Sequence, residues 1–389
     1  MRSVCFVVTA DRSAGFLSGY LQHLRLAGWE VTLIANDDGN LARVGREEGV
    51  NTIAIAMRRN PSPLQDLVSM WRMFRILRAL HPDALIYATP KASMVASITG
   101  KLNGIPVRIY ELWGLRYETE RGIRRLVYRA VERIIGSCST EVVAVSHSLA
   151  TLAQTEGVAR RVHVVGEGSA LGVDTERFSP DAVDMGELDA RTNAFLSEHR
   201  TLPRVLFVGR INRDKGLDTL VEALKLLIAE DRPVAVMIVG AYESDTLRAL
   251  LDSVTDALPI HVVGPTPDPR PYMRAARVLC LPTLREGFGQ VIIEAAAMGV
   301  PAVTTNATGA RDAVVNEVTG LVVPMRDPRT LADAIWRLAT EQGLAERLGA
   351  AARERALATF SKANHVWQIH AEHLEESVEA ELAARAQSG

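Results

Sequence analysis

The stretch REGFGQVIIEAAAMGVPAVTT, Arg285 to Thr305, decides how this chain reads. It sets two carboxylates, Glu286 and Glu294, around a segment that holds Gly287 and Gly289. On one continuous helix of about 3.6 residues per turn, their spacing would swing the second carboxylate well away from the first. The glycines oppose a continuous helix in any case. The spacing predicts a loop over 286–289, a helix from Gln290 to Met298 and a stop at Gly299 and Pro301. A helix N-terminus attracts phosphate through its free N–H groups and its dipole. Carboxylates flanking that anion accept hydrogen bonds from sugar or ribose hydroxyls. A nucleotide sugar meets both demands, although a general acid/base pair is the first alternative for two neighbouring carboxylates.

Upstream, VLFVGRINRDKGLDTLVEAL places Gly209, Arg210 and Lys215 between the end of a strand and the start of a helix. Each charge-assisted hydrogen bond from Arg210 or Lys215 to a diphosphate would contribute roughly 1.5–3 kcal/mol. The other reading is a pair of surface charges on a loop. These segments belong to one alternation: strand RVLFVG, helix 217–229, strand VAVMIVG, helix 244–255, IHVVG, a short helix near Tyr272, VLCLP, the Gln290 helix, PAVTT and LVVP. After it come two or three helices rich in Ala, Arg, Glu and Leu.

An earlier alternation runs SVCFVVT, helix 15–27, EVTLIA, a short helix, TIAIA, ALIYA, helix 91–102, PVRIY, helix 122–135, EVVAV, helix 148–156 and VHVV. Unbroken apolar strands between helices are the pattern of a parallel sheet covered on both faces. Two doubly wound sheets in tandem place a ligand crevice at their strand C-terminal ends. The polar, acidic stretch 179–203 reads as the junction. Gly15, in DRSAGFLSG after the first strand, permits close approach of a ligand or marks an ordinary turn.

At 389 residues, 48% of them apolar, the chain has material for two cores. Residues 1–178 carry 22 Lys/Arg against 17 Asp/Glu, net +5, and the remainder is net −7. From Arg58 to Arg133 there are 14 basic and 6 acidic residues, in segments such as WRMFRILRAL and RGIRRLVYRAVERI. Such stretches lie on an anionic membrane surface or hold an acidic substrate; ordinary amphipathic helices with a solvated arginine face fit equally. Cys5, Cys138 and Cys280 are too scattered for a disulfide framework or a zinc site, which agrees with a reducing cytoplasm. No signal-like leader or membrane-length apolar run is expected, so membrane contact would be peripheral. His365, His370 and His373 read as a solvated helix face, and His147 as a helix-start residue. GEGSALG, 166–172, fails as a dinucleotide fingerprint because no helix follows it, and no GxxxxGK[ST] loop is present.

Together GRINRDKG, the E-x7-E run EGFGQVIIE with AAAMGVP after it, and GSALGVDTERF resemble the retaining glycosyltransferases of the GT-B fold, family 4. Within that family the chain is most similar to bacterial enzymes that build capsular polysaccharide, exopolysaccharide or O-antigen on a lipid carrier. The resemblance implies an α/β fold of two Rossmann-like domains facing across a cleft. Residues 1–178 form the acceptor domain, joined by a returning C-terminal helix at about 361–389; 179–203 is a linker, and 204–360 form the nucleotide-sugar domain.

It further implies that Arg210 and Lys215 bind the donor diphosphate, that Glu294 accepts from ribose hydroxyls and that Glu286 contacts the transferred sugar. Gly209, Gly287, Phe288 and Gly289 line the donor, and Gly15 admits its diphosphate from the first domain. Glu286, Arg210 and Lys215 would be the catalytic group, with both carboxylates positioning the substrate rather than exchanging protons. The family needs no metal or other cofactor; the nucleoside diphosphate sugar, UDP- or GDP-linked, is the co-substrate. The expected partners are that sugar, a lipid-linked oligosaccharide acceptor and the anionic inner face of the cytoplasmic membrane, with no nucleic acid. One departure stands out: where many members carry a histidine near the sugar, PVRIYELWGLRYE has Trp113. Glu111, Trp113 and Arg116 are the acceptor-side candidates. An epimerase, a hydrolase or a non-catalytic nucleotide-sugar-binding subunit on the same fold remain the alternatives.

Overall fold

A computed structural model describes residues 2–57, 63–184, 186, 188–255 and 257–388. Arg58 and Arg59, the start of the basic region, lie outside the described residues. The chain divides into two compact units, Met1–Leu171 with Val366–Gly389, and Gly172–His365. Residues 179–203, expected as a linker, include the helix Ala190–Glu198. That helix packs on the second unit, where Thr192 Oγ1 lies 3.0 Å from His261 Nε2.

The first unit holds six parallel strands: β1 Ser3–Ala10, β2 Glu30–Asn36, β3 Asn51–Ala54, β4 Ala84–Tyr87, β5 Val107–Leu112 and β6 Glu141–Ala144, in the order β3-β2-β1-β4-β5-β6. The second unit repeats the plan with β7 Arg204–Val208, β8 Ala235–Val239, β9 Ile260–Gly264, β10 Val278–Leu281, β11 Ala302–Thr305 and β12 Gly320–Val323, in the order β12-β11-β10-β7-β8-β9. β1, β4, β8, β10 and β11 are almost wholly buried. Helices on both faces of each sheet explain why these strands are apolar throughout instead of alternating. In both sheets the strand order reverses once, between β1 and β4 and between β7 and β10. Loops leaving the C-terminal ends of two such strands diverge to opposite faces, and ligand crevices form there.

The helix predicted over 15–27 is interrupted. A 3-10 turn, Asp11–Leu17, is followed by Gly19 at φ +82° and then by the helix Tyr20–Leu26. Two contacts impose the break. Glu48 accepts the Gly19 and Gln22 amides at 2.8 and 3.1 Å, capping the second helix. Trp367 lies against Gly19, where an added Cβ would come within 2.2 Å of its ring. The VHVV segment, expected as a strand, makes only a single bridge, His163 to Val143, before the chain turns away.

The last helix, Trp367–Ser388, returns to the first unit. Leu374 and Val378 enter the core built on β1 and β2, and Arg2 pairs with Glu375 and Glu379 at 2.7 and 2.8 Å. His370 and His373 are not on a solvated face. His373 Nε2 lies 3.0 Å from Glu141, which raises its pKa, and burial pushes the His370 imidazole down to about 3. The cause is tertiary: this face of the helix closes over the ends of β5 and β6.

Candidate active site

The site is assembled at the switch between β7 and β10. The loop after β7 begins at Gly209 and ends in the turn Arg213–Lys215 and Gly216; the loop after β10 runs from Pro282 to Gly289. Their backbones are joined: the Thr283 hydroxyl and the Leu284 amide both donate to the Asp214 carbonyl, at 2.8 and 2.7 Å. Gly216 has φ +67°, and a Cβ there would stand 1.9 Å from the Pro282 carbonyl oxygen, so the approach requires glycine. Behind them a third loop packs equally close. The Glu286 amide donates to the Thr308 carbonyl at 3.1 Å, and a Cβ on Gly309 would meet the Gly287 oxygen at 2.2 Å.

On this frame two ion pairs cross between the loops. Lys215 Nζ donates to Glu286 Oε1, and Arg285 donates to Asp214. Lys215 and Glu286 are only 15% and 13% exposed, so their interaction is weakly screened and each side chain fixes the other. An ammonium has three hydrogens, which leaves Lys215 able to serve an anion while it holds Glu286. Arg210 stands apart from this pair. It is 56% exposed and donates to Glu243 at 3.0 Å, beside Asn212, which donates to the same carboxylate at 3.0 Å. Asp214, Thr283, Arg285 and Glu243 were not singled out from sequence. For Asp214, Thr283 and Arg285 the only signal was nearness in sequence to Lys215 and Glu286, and Glu243, distant from both, carried none.

Gly289, at φ +89°, starts the helix Gln290–Ala297. Gln290 and Glu294 lie one turn apart on one face. Gln290 Nε2 donates to the Gly172 carbonyl at 2.8 Å, which places this face against the Gly172–Arg177 segment. Burial pushes the Glu294 carboxyl up to about 7, against the opposing pull of Lys362, the Gln290 side chain and Arg177. Phe288 points the other way: it is buried with its ring 5.3 Å from that of Phe360. The structure thus makes Phe288 the anchor of the loop.

The first-unit candidates meet at the ends of β1 and β5. Trp113 Nε1 donates to Glu111 at 3.1 Å, and its ring lies 5.3 Å from exposed Phe16, the neighbour of Gly15. Gly15 is exposed, with nothing within 4 Å of the place a Cβ would take. Glu111 shares a small cavity with His370, and burial pushes its carboxyl up to about 7. Arg116 is exposed, with its guanidinium 5.1 Å from the Tyr128 ring centroid. His147 opens the helix His147–Thr155. Among the described residues no group of three or more His, Cys, Asp or Glu is placed to hold a metal ion, and no helix is long and apolar enough to cross a membrane.

Known proteins share this plan. The family described as "Glycosyl transferases group 1" matches residues 202–341, and the "Glycosyl transferase 4-like domain" matches residues 16–168. The capsular polysaccharide biosynthesis glycosyltransferase CapM of Staphylococcus aureus is 30% identical over 371 residues, covering 94% of this chain and 95% of that protein. The UDP-Gal:alpha-D-GlcNAc-diphosphoundecaprenol alpha-1,3-galactosyltransferase of Escherichia coli is 24% identical and covers 81% of each chain. The crystal structure of Anabaena HepE in complex with UDP and glucose superposes with a TM-score of 0.77 at 18% identity, covering 97% of this chain and 100% of the other. With a relative 30% identical along nearly its whole length, two doubly wound sheets and a returning C-terminal helix, this chain belongs to the group 1 (GT4) glycosyltransferases and has the GT-B fold.

Proposed function

We propose that this enzyme moves a sugar, with retention at the anomeric carbon, from a UDP- or GDP-linked donor to a hydroxyl of a lipid-linked glycan in bacterial surface polysaccharide synthesis. The observation that carries this reading is the Lys215–Glu286 ion pair at the β7/β10 switch, which holds a cation suited to an anion beside a carboxylate suited to sugar hydroxyls. Lys215 takes a diphosphate oxygen and Arg210 a second, so that charge developing on the leaving group meets fixed cations. Glu286, held by Lys215, accepts from hydroxyls of the transferred sugar. The backbone from Gly287 to Gly289, leading into the Gln290 helix, lies along the phosphates, and Glu294 accepts from the ribose. Arginine and lysine together replace a metal in this scheme.

The acceptor side is assigned to Glu111, Trp113 and Arg116, with Gly15 allowing the diphosphate to come close. CapM supports a role in capsule synthesis, and the E. coli relative, named for a diphosphoundecaprenol substrate, supports a lipid carrier. HepE, solved with UDP and glucose, supports a uridine donor. Such an acceptor puts the enzyme on the inner face of the cytoplasmic membrane as a peripheral protein. Titration of the purified protein with a panel of nucleotide sugars, read by thermal shift, tests the donor site, since a ligand bound only by the folded state raises its stability. A shift with one or a few donors, absent in Lys215→Ala and Glu294→Ala, is expected. Equal shifts in both variants would overturn the site assignment.

A further inference from the structure

The loops after β7 and β8 are zipped together on the side of β7 away from the Lys215–Glu286 pair. The Ile211 amide donates to the Ala241 carbonyl at 2.8 Å, and the Glu243 amide donates back to the Ile211 carbonyl at 3.0 Å. A Cβ on Gly240 would stand 1.8 Å from the Gly209 carbonyl oxygen, so only glycine lets the two loops leave the sheet this closely packed. The backbone of Glu243 is thereby fixed next to Arg210. Its carboxylate accepts from a single nitrogen of Arg210, Nη1, at 3.0 and 3.3 Å, and from Asn212 Nδ2 at 3.0 Å.

Arg210, Lys215 and Arg285 each have a carboxylate: Lys215 has Glu286, Arg285 has Asp214 and Arg210 has Glu243. In the first two pairs no side chain is more than 26% exposed, and both pairs tie one loop to another. The third pair differs. Arg210 and Glu243 are 56% and 36% exposed, so their attraction is screened, and they join loops that the backbone has already joined. Such a pair adds little to stability, and its main effect falls on an anion brought to Arg210. A guanidinium offers five N–H groups in a fork, so Arg210 can keep Glu243 on Nη1 and turn Nη2 and Nε to a diphosphate. Two anions on one guanidinium lie well inside the ~8 Å screening length and repel each other.

Substrate and product differ in charge at that diphosphate. Transfer breaks the bond between the anomeric carbon and a phosphate oxygen, which keeps the electron pair; the acceptor oxygen bonds to the anomeric carbon, and its proton passes to solvent. The donor's diphosphate is esterified at both ends. The product's terminal phosphate is a monoester, which takes up roughly one further negative charge at neutral pH because its second pKa is about 6. We propose that Glu243 is a counter-charge that loosens the hold of Arg210 on the nucleoside diphosphate product more than on the nucleotide sugar, and so clears the site for the next donor. The proposal rests on the donor-site reading above, in which Arg210 binds the diphosphate.

Calorimetric titration of the full chain with UDP and UDP-glucose, and with GDP and GDP-mannose, tests it without an acceptor. Glu243→Gln should tighten the nucleoside diphosphate by about fivefold and the nucleotide sugar by about twofold or less, the size of effect an exposed charge exerts. The difference should shrink as salt is raised from about 0.1 to 0.5 M. Glu243→Asp keeps the charge and should keep the parental preference. Glu222→Gln, which removes an exposed carboxylate paired with Lys225 at 2.8 Å, should change neither affinity. In transfer assays, added nucleoside diphosphate should inhibit Glu243→Gln at about fivefold lower concentration than the parent. Loss of a merely structural contact would weaken both ligands instead. Weaker or unchanged product binding in Glu243→Gln, or equal tightening of both ligands, would overturn the proposal and leave the donor site standing. A parent that binds neither nucleoside diphosphate nor nucleotide sugar would remove the donor-site reading itself, and this proposal with it.

Discussion

Lys215 and Glu286 lie 71 residues apart in the chain and share a hydrogen bond at the point where the second sheet reverses its strand order. Neither side chain reaches bulk water freely, so each fixes the direction of the other. A loop cation and a loop carboxylate thereby acquire a fixed geometry, which the transition-state stabilisation proposed for them needs.

Removing either partner should therefore cost more than its own contacts. Lys215→Ala is expected to lower kcat/KM by a hundredfold or more, about 3 kcal/mol. Glu286→Gln, which keeps the shape and loses the charge, should lower kcat with a smaller change in donor affinity. Steady-state kinetics on both, with calorimetric donor titration, would check this; a Lys215→Ala enzyme within about threefold of the parent would contradict it.

Two glycines separate a structural role from a binding role. Gly216→Ala forces a methyl into the Pro282 carbonyl at a positive φ, and a stability loss of about 2 kcal/mol or more is expected by urea denaturation. Gly15→Ala meets nothing within 4 Å and should leave stability unchanged. If the donor diphosphate approaches Gly15, that variant should still lose donor affinity by about tenfold.

Glu294 gives the account a pH dependence. Its carboxyl is raised by burial from 4.5 to about 7, so the folded protein retains a proton that the unfolded chain releases between those values. Stability should fall as pH rises through this window, by at most about 3 kcal/mol from this group. Donor binding should run the opposite way. If Glu294 accepts from the ribose hydroxyls as proposed, its ionised form is the binding one, and donor affinity should rise by about tenfold between pH 6 and 8. Glu294→Gln should flatten both profiles, measured by urea denaturation and donor titration across that range.

The sheet plan and the helix at Gln290 were legible because local signals agreed: apolar strand runs, Gly289 before the helix and Gly299 with Pro301 after it. Helix 217–229 was legible for the same reason. The misreadings share a different cause. The break at Gly19 depends on Glu48 and on Trp367, and the inward turn of His370 and His373 depends on the same returning helix; no local window holds both partners. The Lys215–Glu286 pair was half legible. Both residues follow strand ends, but only the β10-β7 neighbourhood brings those ends together, and the packing of Phe288 on Phe360 was not legible because the two are distant in sequence.

The central claim is retaining transfer from a nucleotide sugar, and product stereochemistry tests it most directly. The purified chain should be incubated with the donor selected by thermal shift and a lipid-diphosphate-linked acceptor, and the anomeric proton of the product read by NMR. An α-linked product from an α-linked donor is predicted, with one nucleoside diphosphate released per sugar transferred and negligible product when the acceptor is omitted. A β-linked product, or an epimerised or hydrolysed sugar formed without acceptor, would contradict the account.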